Sequence, residues 1–464
     1  MIILLFFLIL SIIFPQISFA HTTGETYNFP IPVWLYIFGS GLVLFISFVI
    51  FSIFSQSKNY ALSVFSSQLS FSIPRIYLVR KLLTFSGLVL FLLMIASGFF
   101  GTQIAQYNFS TVYFWAFWMI GFIYIQSFIG DLWSYFNPFK TIVNLLQSLG
   151  GVSFSGKYQY PDFLGSYPVF IVYFILIVFE LFYPLSPFGL SFSLFLYLNL
   201  TILGSLIFGK DVWFEKAEFF SVFFKLLSRQ SVIYRSRGDK VDFKFPFVRL
   251  INIKAIPFSL VMVIFFLLSS TAFDSFRETA IWFNFYYDFL FPLLSWLPNW
   301  ITDFIQPMIL LLTPFLFFFI FLILLYIFKL CIASKKSLWE LSSIYSLTLL
   351  PIGVFYHLAH YFTLFLNQGL EALVIFSDPL GLSWNLFGTA GLVFNNSFLP
   401  ISLVWHMQVF LILLGHIIGV ILAHNLSIKL TIGKRSGGFY QLPIIFLMIV
   451  FTMIGLWVLS QPLI

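Results

Sequence analysis

The chain is short of charge and nearly free of cysteine. Only 8% of its 464 residues are Asp, Glu, Lys or Arg, against 61% hydrophobic residues and a mean hydropathy of +1.02, which excludes an ordinary soluble domain. Cys331 is the single cysteine, so an intramolecular disulfide, a CxxC redox pair and a thiolate metal cluster are excluded. Catalytic signatures are scarce too. There is no GxSxG, HExxH or HxH, and the GxxxxGK match at residues 151–157 is followed by Tyr158 where a phosphate loop needs Ser or Thr. A net charge of +7 would suggest nucleic acid in a soluble protein, but here the basic residues sit in loops between apolar runs. The partner they imply is a lipid bilayer, and no nucleic acid.

Apolar runs long enough to cross a bilayer fill the chain instead. After residues 1–20, which read as a cleavable signal peptide with a small-residue ending at Ser18 and Ala20, ten spans are expected. They lie at about 33–54, 82–101, 112–130, 167–184, 190–209, 255–272, 304–330, 338–366, 399–424 and 441–460. Lys and Arg concentrate in alternate loops, from Lys58 to Lys81, at Lys140 and Lys157, throughout 210–254, at Lys335 and Lys336, and from Lys429 to Arg435. The other loops hold Asp274, Glu278, Asp288, Asp303, Glu371 and Asp378. By the positive-inside rule both termini face outward. The fold class is an all-α polytopic transmembrane bundle, N-out and C-out, in the cell (plasma) membrane, with residues 21–464 as one domain. Its non-membrane mass is a basic cytoplasmic loop at 210–254 and outer loops at 273–303 and 367–398. The stretch opening the basic loop, DVWFEKAEFFSVFFKLLSR, reads as an amphipathic helix lying along the anionic leaflet.

The polar residues inside these apolar runs carry whatever chemistry there is. Three of the six histidines, His406, His416 and His424, fall on the ninth span. On a helix they share a stripe roughly 80° wide but spread over roughly 27 Å, so they cannot hold one metal ion together, although they could mark a path across the bilayer. Gly415, Gly419 and Ala423 form a ridge of small residues beside them, which lets a second helix approach closely. His357 and His360 in YHLAHYF sit three apart on one helix face in the outer half of the eighth span. If cleavage follows Ala20, the chain begins at His21, whose amine and imidazole together could chelate copper. His21, His357 and His360 are the candidate metal ligands, for copper or zinc. A proton or substrate relay and plain structural hydrogen bonding compete with that reading. Glu180 is a lone carboxylate near the outer end of the fourth span, and His416 and His424 are relay candidates. Asp131 precedes the helix break at Asn137-Pro138 and reads as a structural cap or partner of a basic residue. Ser377 or Asp378 reads as a cap in the turn-rich outer loop SDPLGLSWNLFGTAG, which is placed as a lid over the outer histidines.

With these residues laid out, the chain resembles a prokaryotic family of polytopic membrane proteins commonly called fenitrothion hydrolases. The resemblance rests on HTTGETYNFPIPVWL, GDLWSYFNPFK, GKDVWFEKAEFFSVFFKLLSR, SSTAFDSF, LAHYF, SDPLGLSWNLFGTA and VWHMQV...LGHIIGVILAHN, which cover most of the chain in order. It implies hydrolysis of an organophosphate triester and brings no catalytic residues with it. His21, Asp131, His357, His360, Asp378, His416 and His424 match the family pattern, whereas at His406 the family admits an aromatic residue. Three functions therefore compete. One is a membrane metalloprotein or metal handler with its site at the outer face. The others are a membrane-embedded, metal-dependent hydrolase of organophosphate-type esters and a proton- or ion-coupled transporter. Each takes a metal ion or small molecule from the outer side.

Overall fold

Among the described residues, ten helices long and apolar enough to cross a membrane stand in the order that hydropathy predicts. They are seen in a computed structural model that describes residues 20–21, 26–27, 32–54, 68–237, 240–251, 254–332, 334–392, 399–431 and 438–461. Residues 1–19 of the expected signal peptide lie outside these residues. The chain is an all-α polytopic helical protein, and where the sequence suggests one domain its contacts divide it into two compact units.

The first unit comprises Met1–Val64, Leu250–Phe362 and Leu399–Ile464. After the short antiparallel pair of β1 (Ala20–His21) and β2 (Thr26–Tyr27), it contains α1 (Val33–Phe54). Its interior is formed by α9 (Phe258–Arg277) and by α11 (Leu338–Tyr345) running on through a tight turn into α12 (Leu350–His360). Residues 261–271 of α9 are buried without a break, so this helix has no lipid-facing side there. Around these stand α10 (Ile305–Ile332), α14 (Ile401–Thr431) and α15 (Leu442–Leu459).

The small-residue ridge does what its spacing predicts. A Cβ on Gly415 would lie 2.6 Å from the Cβ of Phe355, and one on Gly419 would lie 3.2 Å from the Thr348 carbonyl oxygen. Helix α14 thus backs directly onto α12: a side chain at Gly415 would force the two apart, and one at Gly419 would need its neighbours to give by a few tenths of an ångström.

The second unit comprises Phe65–Arg249 and Thr363–Phe398. Its spans are α2 (Ile76–Phe100), α3 (Phe109–Ile129), α5 (Tyr167–Leu181) and α6 (Pro187–Phe208). Much of α3 is wound as π-helix, over Tyr113–Gly121 and Ile125–Ile129. Helix α4 (Pro138–Gly150) begins at the Asn137-Pro138 break, buries Pro138, Phe139 and Val143, and exposes most of its last two turns. Helix α7 (Lys210–Lys216) leads to α8 (Phe219–Leu227). The described residues of 210–254 thus form two helices at the start of this stretch. They also supply β4 (Ile233–Arg237) and β5 (Lys240–Lys244), which pair antiparallel with each other, while β5 also pairs antiparallel with β3 (Gln68–Ser72).

The expectation that α8 lies along the leaflet is corrected. Phe219, Phe220, Phe223, Phe224, Leu226 and Leu227 are all buried, and Trp118 packs against Phe220 and Trp133 at 5.6 and 5.2 Å between ring centroids. Six large apolar groups in nine residues cannot be served by one stripe, so the helix becomes core.

Candidate functional site

Helix α9 becomes polar towards its end away from Lys254, with Ser269, Ser270, Thr271, Asp274 and Ser275 all buried. Its hydroxyls turn back on their own helix, Thr271 donating to the Leu267 carbonyl and Ser275 to the Thr271 carbonyl at 3.0 Å. Asp274 points at α12, where His360 ends the helix. His360 Nε2 lies 2.8 Å from Asp274 Oδ2, and its Nδ1 lies 3.0 Å from Ser275 Oγ. The Tyr361 hydroxyl donates to the same carboxylate oxygen at 3.0 Å, and Arg277 reaches the other oxygen at 3.8 Å. The His357 ring lies 4.5 Å from that of Tyr361. Just beyond the end of α9, the Glu278 carboxyl is held above its ordinary range by desolvation and then by the Asp274 charge, with His360 and Arg277 opposing.

The proton count follows from these bonds. Ser275 has one hydroxyl proton and gives it to Thr271, so it accepts from His360 Nδ1–H. One further proton lies on the line between His360 Nε2 and Asp274 Oδ2. With it, the pair is either imidazolium and carboxylate or imidazole and acid. Without it, the neutral imidazole keeps the bond to Asp274 only as the Nε2–H tautomer, with Ser275 turning its hydroxyl proton from Thr271 to Nδ1, and the charge attraction of the pair is lost.

Both ring nitrogens of His360 are engaged, and among the described residues no three His, Cys, Asp or Glu side chains come together around a metal position. The His21 side chain lies outside the described residues. His357 is brought beside the Asp274–His360 cluster, and the three remaining histidine candidates of this unit lie along α14. His406 is exposed on α14, bonded through Nδ1 to the Ser402 carbonyl and through Nε2 to Tyr36. His416 bonds its Nδ1 to the Ile412 carbonyl at 2.8 Å, and its buried Nε2 has no hydrogen-bond partner among the described residues. His424 bonds Gln441 at 2.8 Å and meets the edge of Phe48.

The remaining three candidates belong to the second unit. Glu180 is half-buried near the end of α5. Asp131 accepts from the Ser134 amide at 3.2 Å, and its carboxyl is pushed up by burial while that bond and the charges of Lys225, Lys140 and Arg249 pull it down. Asp378 binds the Leu382 and Ser383 amides, both at 2.8 Å, and Ser377 Oγ accepts from the Phe387 and Thr389 amides. These bonds shape the loop after Ser377 itself. Helix α13 (Phe362–Ser377) occupies much of the stretch read as its beginning.

Sequence reasoning missed Asp274 and Ser275 because hydropathy ends the sixth span at 272. The helix in fact runs on to Arg277. The usable signal was Asp274 followed three residues later by Arg277, a spacing that keeps a helical face going. A second buried carboxylate, Glu218, was also missed. It caps α8, accepting from the Phe220 and Ser221 amides, from Tyr197 at 2.7 Å and from Asn137 at 3.3 Å.

The fold and the buried polar cluster together define a polytopic integral membrane protein. Comparison with protein-family models, with curated proteins and with solved structures finds no match.

Proposed function

We propose that this protein is a proton-coupled transporter of the cell membrane and that the Asp274–His360 pair holds the coupling proton. The observation that carries this reading is the 2.8 Å contact between two titratable groups on α9 and α12, which belong to the most enclosed spans of the chain. Ionisable groups are expensive inside a membrane and are retained where they act. Here protonation and helix contact are linked, because loss of the shared proton removes the charge pair between the end of α9 and the end of α12 and leaves a weaker neutral–charged hydrogen bond. On the orientation given by the basic loops, the pair faces the outer side, with His416 and His424 further along α14 towards the inner side. The test is uptake of a panel of small solutes by proteoliposomes under an imposed proton gradient. Gradient-driven uptake should collapse with a protonophore and be lost in folded Asp274→Asn protein. Uptake indifferent to the gradient, or undiminished in Asp274→Asn, would reject the reading.

A second reading has its own observation. Ser275, His360 and Asp274 touch in the order nucleophile, base, orienting acid, which suits the ester hydrolysis implied by the family resemblance. It requires Ser275 to rotate its proton from Thr271 to His360. Phosphotriester turnover by purified protein, lost in both Ser275→Ala and His360→Gln, would favour hydrolysis over transport.

A further inference from the structure

We infer that the second unit carries a binding site for an anionic phospholipid in the groove between the start of α2 and the amphipathic α4. The groove is open to one side, offers about 350 Å³ and has a mostly apolar lining, formed by Arg80, Lys81, Phe85 and Leu88 of α2 with Thr141 and Leu145 of α4. That volume is within the range of small-ligand sites. Its two ends differ in chemistry. Arg80 and Lys81 lie in the second turn of α2, with the guanidinium over the Tyr135 ring at 5.3 Å and the ammonium over the Tyr77 ring at 5.8 Å. Thr84 ties this corner together by donating to the Tyr135 carbonyl at 2.8 Å. Further along α2, Phe85 is exposed and Leu88 half-buried, and the outward face continues apolar through Val89 and Leu92. A phosphate held by two cations and an acyl chain laid along the helix match this order of charged then apolar surface. A soluble phosphate would leave the apolar end empty, so the occupant is a lipid.

The test uses full-length protein reconstituted in phosphatidylcholine vesicles containing a minor fraction of phosphatidylglycerol, followed by native mass spectrometry of the lipid retained in detergent. Wild type should retain phosphatidylglycerol in preference to phosphatidylcholine. Arg80→Gln/Lys81→Gln should lower that retention by about five- to twenty-five-fold, as expected for losing two cations near a phosphate. Leu145→Trp, which fills the groove and keeps both charges, should lower it as well. Excess free glycerol phosphate should displace nothing. Equal retention of both lipids, undiminished retention in the two variants, or displacement by glycerol phosphate would overturn the site.

Discussion

The two units each bury a carboxylate, and they satisfy it in opposite ways. In the second unit Glu218 is surrounded by donors that keep their protons at ordinary pH, namely two backbone amides, a phenol and a carboxamide. In the first unit Asp274 faces an imidazole, a group whose ordinary titration falls near neutrality. The surroundings follow the same division. Glu218 adjoins an aromatic core of Phe139, Tyr197 and Phe220, whereas Asp274 ends a row of buried Ser and Thr. A carboxylate held by fixed donors has no partner to pass a proton to; one that shares a proton with an imidazole does.

The comparison can be broken first at Glu218. Glu218→Ala removes the cap of α8 and leaves buried donors on Tyr197 and Asn137 unanswered, at a cost of about 3–4 kcal/mol. The loss should show as a large fall in the unfolding midpoint in detergent. Next comes Gly415→Val, which overpacks the α12–α14 contact for about 2–3 kcal/mol, again read as a lowered midpoint.

Asp274→Asn should cost less, about 1–2 kcal/mol, because an amide can still accept from Tyr361. It should nonetheless abolish proton coupling, which Glu218→Gln should spare. Equal effects of these two substitutions on coupling would erase the distinction between the units. Glu218 also gives a signed pH effect. Burial raises its carboxyl above the ordinary value of 4.5, so its contribution is fully present below that value and is lost as pH rises through the higher folded value. Glu218→Gln should flatten that part of the stability profile, measured as midpoint against pH.

Smaller still is Asp378→Ala, about 1 kcal/mol for the two loop amides, detectable as faster amide exchange at Leu382 and Ser383. The smallest is Lys336→Ala, which breaks a partly exposed i,i+4 pair with Glu340 and should shift stability by less than about 0.5 kcal/mol.

The spans and the small-residue ridge were legible in the sequence because each depends on local spacing. Lipid length selects apolar runs of a fixed size, and Gly415 and Gly419 announce a close neighbour without saying which. The contact that matters most was not legible. Asp274 and His360 are 86 residues apart, and a hydropathy window cannot extend a helix through Asp-Ser-Phe-Arg. The histidines misled for a related reason. His406, His416 and His424 share a stripe, but one is exposed, one bonds its own helix and one bonds Gln441. Helix α8 was misread because its charges drew more weight than its phenylalanines, which is the reverse of their energetic importance.

The enclosure of α9 and α12 also bears on how the chain enters the membrane. The eighth span is the least apolar of the ten and the seventh the most apolar. Helix α10, which forms that seventh span, should partition into lipid unaided as it leaves the translocation machinery. The eighth span, with His357 and His360 at its end, should enter poorly alone and wait for α9 and α10 to offer it a protein surface. Its retention in the bilayer is then a property of the assembled helices, and a chain stopped before residue 338 should leave the polar end of α9 open to water or to quality-control proteases.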